Sequence, residues 1–85
     1  MEWDARKRRN QRKLQVLEIG LQQGEIDSYD LVYLLDLSLT NASTCLLNYH
    51  RQGLFSRERR GKSYYYSITD RGHERYLLLI DQNTV

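Results

Sequence analysis

The feature that most limits the possible folds is a change of hydrophobic period at Gly53–Leu54. Between residues 27 and 53, apolar residues recur at intervals of three and four, the period of an α-helix. From Leu54 to Thr69, side chains alternate on both sides of a basic turn, which is the period of paired β-strands. The chain is therefore predicted to be α+β and mostly helical, with short helices that lead into one β-hairpin.

Leucine spacing defines the helices before that boundary. In the first helix, which runs to about residue 23, Leu14, Leu17 and Leu21 share one face, while Val16 and Ile19 lie on the opposite side. A helix that is apolar on two sides needs two surfaces to cover it. The residues predicted at helix ends are Gly20 and Gly24 at a fraying end of the first helix, Asp27 or Ser28 at the start of the second, and Thr40 and Gly53 around the third, which spans 41–52.

The hairpin is predicted to pair strands 54–60 and 64–69 around a basic tip, Arg60–Ser63, whose glycine supplies a positive φ. On the second strand, alternation places Tyr64 and Tyr66 on one side. That side is predicted to build the hydrophobic core beneath the hairpin, although seven tyrosines also allow a base-stacking surface for single strands.

The last helix, capped by Thr69 or Asp70, contains a run that is apolar on every side. In an 85-residue domain one face of this helix can meet the core, and the exposed remainder predicts a partner surface. We interpret it, together with the outer side of the first helix, as a homodimer seam; the alternative is that the run packs wholly on its own core. The residues predicted at the seam are Val16, Ile19, Tyr76, Leu77, Leu78, Leu79 and Ile80.

Positive charge is confined to two patches, although the net charge is only +2. Residues 14–50 contain no Lys or Arg and five acids. Segregated positive charge is typical of a protein that binds a polyanion, and a solvated face with a basic tail is the alternative. The first patch consists of Arg6, Lys7, Arg8, Arg9, Arg12 and Lys13, and the second of Arg51, Arg57, Arg59, Arg60 and Lys62.

Two segments resemble a known class of regulators. Residues 37–55, with Asn41-Ala42-Ser43 at the helix start and Gly53-Leu54 at its end, resemble the recognition-helix region of MarR-, ArsR- and PadR-like proteins, although the family pattern begins Thr-Val-Ser. Residues 66–72, Tyr-Ser-Ile-Thr-Asp-Arg-Gly, resemble the Y-x-L-T-x-x-G that leads into the last helix. The chain is similar in size to the minimal members from archaea and their viruses and plasmids.

This resemblance implies a winged helix-turn-helix with three helices, a two-stranded β-wing and a C-terminal dimerisation helix. The predicted organisation is a single domain, residues 1–85, made of a basic N-terminal segment 1–13, a helix-turn-helix 27–53, a wing 54–69 and a C-terminal helix 70–82.

The outer face of the third helix is short, polar and free of acids, so it can present short polar side chains to base edges in the major groove. The basic wing and N-terminal segment are expected on phosphates, and the wing tip on phosphates or in the minor groove. The residues predicted for base readout are Asn41, Ser43, Thr44, Leu47, Asn48 and Arg51, and those for wing contacts are Arg57, Arg59, Arg60, Lys62 and Ser63.

The sequence therefore predicts a homodimeric, sequence-specific regulator of transcription that binds double-stranded DNA in the cytoplasm, most simply as a repressor. Two alternatives use the same fold. One is a protein–protein adaptor whose acidic middle faces a basic partner, and the other is a plasmid or viral replication-maintenance factor with the same DNA contacts.

Enzymatic, metal and membrane chemistry is not expected. Cys45 and His50 lie about 140° apart around one helix, so they can neither chelate one ion nor form a nucleophile pair. The sequence contains no phosphate-binding glycine loop and points to no cofactor or small-molecule ligand. The longest apolar run, Tyr76–Ile80, is far shorter than the ~20 residues that cross a bilayer. The lone cysteine, Cys45, is predicted to be a small core residue and suits a reducing compartment, with a redox-sensing thiol or an intersubunit disulfide as the alternatives. His73 is predicted to face solvent.

Overall fold

The computed structural model describes the backbone of residues 2–83 and the side chains of residues 8–82. The side chains of Arg6 and Lys7 lie outside the described residues. Helices and strands follow one another as α1 (Glu2–Gln23), β1 (Glu25–Ile26), α2 (Ser28–Leu35), α3 (Leu39–Arg51), β2 (Phe55–Arg60), β3 (Ser63–Ile68) and α4 (Asp70–Asn83).

The hydrophobic core lies where α1, α2, α3 and the sheet meet, and it explains why each of these elements has an apolar side. Its largest fully buried side chain is Phe55, the first residue of β2. Close packing around such a ring fixes the helices relative to the sheet. The buried apolar residues are Val16, Leu17, Ile26, Leu31, Ala42, Leu46, Tyr49, Leu54, Phe55, Tyr66 and Leu79.

The buried stripe of α1 differs from the predicted one. Val16 and Leu17 are both fully buried, so the expectation that Val16 lies on an outer face is wrong. Around the helix, Gly20 lies between Val16 and Leu17. Along the chain it is inside α1, which extends to Gln23, so it is not at a fraying end. A Cβ added at Gly20 would come within 2.8 Å of Phe55 Cε1, so the glycine lets that ring approach the helix backbone. Gly24, with φ of +80°, follows the helix as predicted.

The two helices of the helix-turn-helix begin at capping side chains. Asp27 accepts the backbone N–H of Asp30, and Asp30 in return accepts that of Asp27, which is a capping box. The start of α3 is earlier than predicted, because Ser38 rather than Thr40 accepts the N–H of Asn41, at 3.1 Å. This makes Leu39 the first residue of α3, and its side chain is exposed.

The end of α3 confirms the predicted glycine cap. Gly53 adopts φ of +81°, its N–H donates to the His50 carbonyl, and the Leu54 N–H donates to the Tyr49 carbonyl. This pair of bonds is a Schellman motif, with Leu54 as the apolar residue that buries beside it. The cap therefore turns the chain directly from α3 into β2.

The sheet has three strands in the order β1-β3-β2, all antiparallel, so the predicted two-stranded wing has one additional strand. Gly61, at φ of +62°, and Lys62 form the tip. Ile26 lies opposite Tyr66, and Arg59 lies opposite Tyr64. The overall architecture is the winged helix-turn-helix that the sequence predicted, with β1 as the strand it did not.

The Thr-x-x-Gly segment joins the wing to α4. Thr69 caps α4, because its Oγ1 accepts the Gly72 N–H at 3.0 Å and donates to the Gly53 carbonyl at 2.6 Å. The Thr69 N–H donates to the Leu54 carbonyl, and a Cβ added at Gly72 would overlap that same carbonyl oxygen. The segment thus holds α4 against the start of β2.

On α4, some residues predicted at the dimer seam are buried and others are exposed. Leu79 is buried in the chain's own core, so it is not available to a partner, and Tyr76 packs against that core. Leu77 and Leu78 remain 55% and 54% exposed. In the part of the chain that the structure describes, no helix is both long and apolar enough to cross a membrane.

Candidate nucleic-acid interface

The two sides of α3 differ sharply in chemistry. Ala42, Leu46 and Tyr49 are buried, which follows the 3.6-residue period of the helix. Thr44 and Arg51 project from the opposite side and are exposed. Because α3 contains no Asp or Glu, this outward ridge is polar and carries no negative side chain.

All the residues predicted for base readout lie on the accessible surface of α3. Five of the six are exposed, and Leu47 is half-buried because it faces the wing. The exposed members are Asn41, Ser43, Thr44, Asn48 and Arg51. Their contact with DNA stays a prediction, while the accessibility that it requires is present.

On one side of the ridge, α3 and the wing enclose a cleft of about 360 Å³. The start of α2 closes this wing cleft, since the Ser43 hydroxyl donates to the Ser28 hydroxyl at 2.9 Å. Its cationic members come from the wing. One acid, Asp27, also lines the cleft, and two cations outnumber it. The lining residues are Asp27, Ser28, Tyr29, Leu39, Ser43, Leu47, Arg57, Lys62, Ser63, Tyr64 and Tyr66.

The face of the wing that continues from the core is cationic and aromatic. The Arg57 guanidinium lies 4.4 Å from the centroid of the Tyr64 ring, and that of Arg59 lies 5.8 Å from it. Arg59 Nε also donates to the Gly61 carbonyl at 3.1 Å. Tyr64 is 40% exposed, so the prediction that it joins Tyr66 in the core is wrong: it supports two arginines instead.

The opposite face of the wing is neutralised by ion pairs. Arg60 donates to both carboxylate oxygens of Glu25, at 2.7 and 2.6 Å, and to Glu58 at 2.9 Å. These bonds, first to Glu25 and then to Glu58, raise the pKa of Arg60, and the bond from Arg60 lowers the pKa of Glu58. Arg60 is therefore not the free cation expected at the wing tip; it connects the wing to β1.

On the other side of the ridge, the basic N-terminal segment is part of α1 instead of a free tail. Arg8 and Arg9 are exposed, whereas Arg12 and Lys13 are half-buried beside α3. Lys13 Nζ donates to Gln52 Oε1 at 2.9 Å. Three members of the first basic patch, Arg9, Arg12 and Lys13, therefore line a second cleft on the side of α3 away from the wing cleft.

The remaining candidate side chains are those of Cys45, His50 and His73. Cys45 is half-buried and packs against the core. The pKa of Tyr49 is raised to about 12, first by the burial of Tyr49 itself and then by the electrostatic effect of the neighbouring Cys45. His50 Nδ1 donates to the Phe55 carbonyl at 2.8 Å. His73 is exposed, as predicted. Among the described residues, no three His, Cys, Asp or Glu side chains group as metal ligands.

Sequence reasoning missed Ser28, Leu39 and the supporting role of Tyr64. A signal for Tyr64 was present: a two-residue tip at 61–62 sets Arg59 directly opposite it, on the same face of the hairpin. Ser28 gave no comparable signal, because its partner Ser43 is 15 residues away and the angle between α2 and α3 determines their contact.

The fold and this surface define the chain as a winged helix-turn-helix protein with an accessible third helix. No protein-family model and no curated protein matches the sequence. Similar solved structures are those of MarR-like winged-helix regulators, which confirms at the level of the fold the resemblance found in the sequence.

Three of these structures are the YusO protein from Bacillus subtilis, the oxidized form of MarR from E. coli, and the antimony-specific transcriptional repressor AntR. Their TM-scores are 0.75, 0.71 and 0.62, with sequence identities of 15%, 16% and 23%. The matches cover 81%, 81% and 82% of this chain. This chain spans about half the length of YusO and MarR, 51% of each, and 67% of AntR.

Proposed function

We propose that this chain is a sequence-specific regulator of transcription that binds double-stranded DNA as a homodimer and represses by blocking polymerase access. The observation that supports this most strongly is the outward ridge of α3, which is polar, free of acids and accessible beside a cationic wing cleft. With 13 residues α3 is about 20 Å long, and the major groove, about 12 Å wide, admits an α-helix.

In this proposal the ridge reads bases. Asn48 is suited to a bidentate pair with adenine, Thr44 to a base edge or a phosphate, and Leu47 to a thymine methyl group. Arg51, in the last turn of α3, is the one Lys or Arg on this helix. Phosphate contacts from α3 itself are therefore few, and its contribution is to specificity.

Affinity then comes from the wing and from the basic N-terminal segment. Arg57 and Arg59 are exposed, lie on the face that continues from the core, and stack near Tyr64. Lys62 lines the same cleft as Leu47. Cations held at this position can contact phosphates, or the minor groove beside the major groove that α3 enters.

The dimer is proposed through α4. Leu77 and Leu78 are adjacent, exposed and apolar, and a second copy of this chain would bury them. A two-fold dimer would place two α3 helices on half-sites about 34 Å apart. Substituting Leu77 and Leu78 together by Glu should give monomers in sedimentation equilibrium, and a dimer that persists would contradict this seam.

The comparisons favour a regulator over an adaptor, because one of the similar structures is described as a transcriptional repressor. In this role the protein acts where the DNA is, in the cytoplasm.

Selection of bound duplexes, followed by fluorescence anisotropy on selected and random DNA, tests the proposal. Asn48→Ala should weaken binding to the selected site by ~1–3 kcal/mol and leave random DNA nearly unchanged. Gln22→Ala, which removes an exposed amide from α1, is the matched control. Equal losses on both duplexes would show that Asn48 does not read a base, and a wild-type chain that binds neither duplex would overturn the proposed function.

A further inference from the structure

A cleft of about 590 Å³ lies between the N-terminal half of α1 and α3, on the side of α3 away from the wing. α1 contributes Arg12 and Lys13, and α3 contributes Asn48, Tyr49 and Gln52. None of the described residues that line this α1–α3 cleft is an Asp or Glu. The cleft is thus cationic, and it adjoins the ridge of α3 through Asn48.

One donor atom of Arg12 indicates which kind of ligand the cleft could bind. Among the described residues, the Nε of Arg12 is buried and has no hydrogen-bond partner. A buried N–H without an acceptor destabilises the folded chain, and more so on a charged group, so such atoms are rare unless water or an ion satisfies them. The group that would satisfy Arg12 is an acceptor, and on a guanidinium an anionic acceptor binds most strongly.

The surroundings of Lys13 also favour an anion. Its Nζ donates to Gln52 Oε1 at 2.9 Å and lies 5.8 Å from the centroid of the Tyr49 ring, so the side chain is held toward α3. Burial and, to a smaller extent, the positive charge of Arg75 lower the pKa of Lys13. A negative charge in the cleft would offset both effects.

We propose that the α1–α3 cleft is a phosphate site, in which the Arg12 side chain moves so that a tetrahedral phosphate oxyanion in the cleft accepts from its Nε beside the charge of Lys13. If the phosphate belongs to a DNA backbone, the inference rests on the proposed function, in which Asn48 reads a base next to that phosphate. The cleft and the wing would contact the two backbones that border one groove, with α3 between them. A free phosphate ion has the same chemistry and is the other source.

Salt-dependent binding tests the DNA source. Arg12→Ala should lower the slope of log affinity against log salt by about one and weaken binding about tenfold at 0.1 M salt. Arg71→Ala is the matched control, since it removes the same charge from an exposed position on α4 that does not line the cleft and belongs to neither basic patch. Arg12→Lys keeps the charge without the Nε–H and should restore only part of the loss.

The Nε–H resonance of Arg12 in the wild-type chain gives a test that needs no variant. It should shift on titration with the selected duplex, or with inorganic phosphate against chloride at equal ionic strength. A shift with phosphate alone, with an unchanged salt slope for Arg12→Ala, assigns the site to the free ion. If the resonance shifts with neither probe, the phosphate site is overturned, even where wing variants still weaken DNA binding. If the chain binds no duplex, the proposed function is overturned, and the phosphate titration alone then tests the cleft.

Discussion

The base and the tip of the wing belong to one hairpin but are held by different forces. At the base, Leu54 is buried, Thr69 makes four hydrogen bonds, and Gly72 allows a backbone contact that no side chain would permit. The tip region, which in this comparison means residues 57–64, is mostly exposed. Its arginines either stack on tyrosines or pair with carboxylates.

The difference shows that the most recognisable sequence motifs of this fold serve folding, while the less distinctive positions are available for binding. Gly53-Leu54 and Thr69-x-x-Gly72 fix where α3 ends and where α4 begins. The arginines of the tip contribute little to the core. Substitutions at the base should therefore change the free energy of unfolding, and substitutions at the tip should change DNA affinity.

The largest effect on stability is expected for Gly72→Ala. The new Cβ would overlap the Leu54 carbonyl oxygen and come within 2.7 Å of Ile68 Cγ1, and moving that carbonyl would strain its bond from Thr69. We expect a loss of about 3 kcal/mol in the free energy of unfolding, measured by urea denaturation. Gly20→Ala, which meets only the edge of the Phe55 ring, should cost about 1 kcal/mol. A smaller cost at Gly72 than at Gly20 would contradict the close approach at the base.

The largest effect on binding is expected for the double variant Arg57→Ala/Arg59→Ala. The salt slope should fall by up to about two, and affinity for all duplexes by roughly 30- to 100-fold, because two phosphate contacts are lost. The free energy of unfolding should stay within about 0.5 kcal/mol of wild type, as for other exposed positions. Anisotropy titrations at several salt concentrations measure this, and an unchanged slope would remove the wing from the interface.

Thr69→Val should have an intermediate effect that is confined to stability. The substitution keeps the shape of the side chain but removes the hydroxyl that caps α4 and donates to the Gly53 carbonyl. We expect a loss of about 1–2 kcal/mol in thermal or urea unfolding, with DNA affinity per folded molecule unchanged. Thr40→Val, at a position that caps no helix here, is the matched control and should cost less.

The smallest effect is expected for Arg60→Ala. Its guanidinium is engaged by Glu25 and Glu58 on the outer face of the wing, so the salt slope of DNA binding should not change. A small loss of stability should appear at low salt and diminish at high salt, since exposed ion pairs are screened. A slope that falls by one would show that Arg60 leaves its carboxylates to bind a phosphate.

The parts of the fold that depend on local signals could be predicted from the sequence. The glycine cap at Gly53, the cap at Thr69, the positive φ at Gly61 and the buried side of α3 follow from residue type and spacing along one element. The accessible face of α3 follows from the same period, and the contact of its residues with DNA stays a prediction.

Features that depend on how elements meet could not be predicted in this way. β1 has two residues, too few to show a period, and becomes visible only through its pairing with β3. Val16 was assigned to the outside because Gly20, at the centre of the buried stripe, carries no hydrophobic signal. The pairing of Arg60 with Glu25, 35 residues apart, depends on that same strand.

Intermolecular nuclear Overhauser effects between the chain and a selected duplex test the placement of α3 most directly. The account predicts contacts from the Thr44 and Leu47 methyl groups and the Asn48 side-chain amide to protons in the major groove, including thymine methyl groups. Contacts confined to α2 or α4, with none from these three side chains, would contradict it.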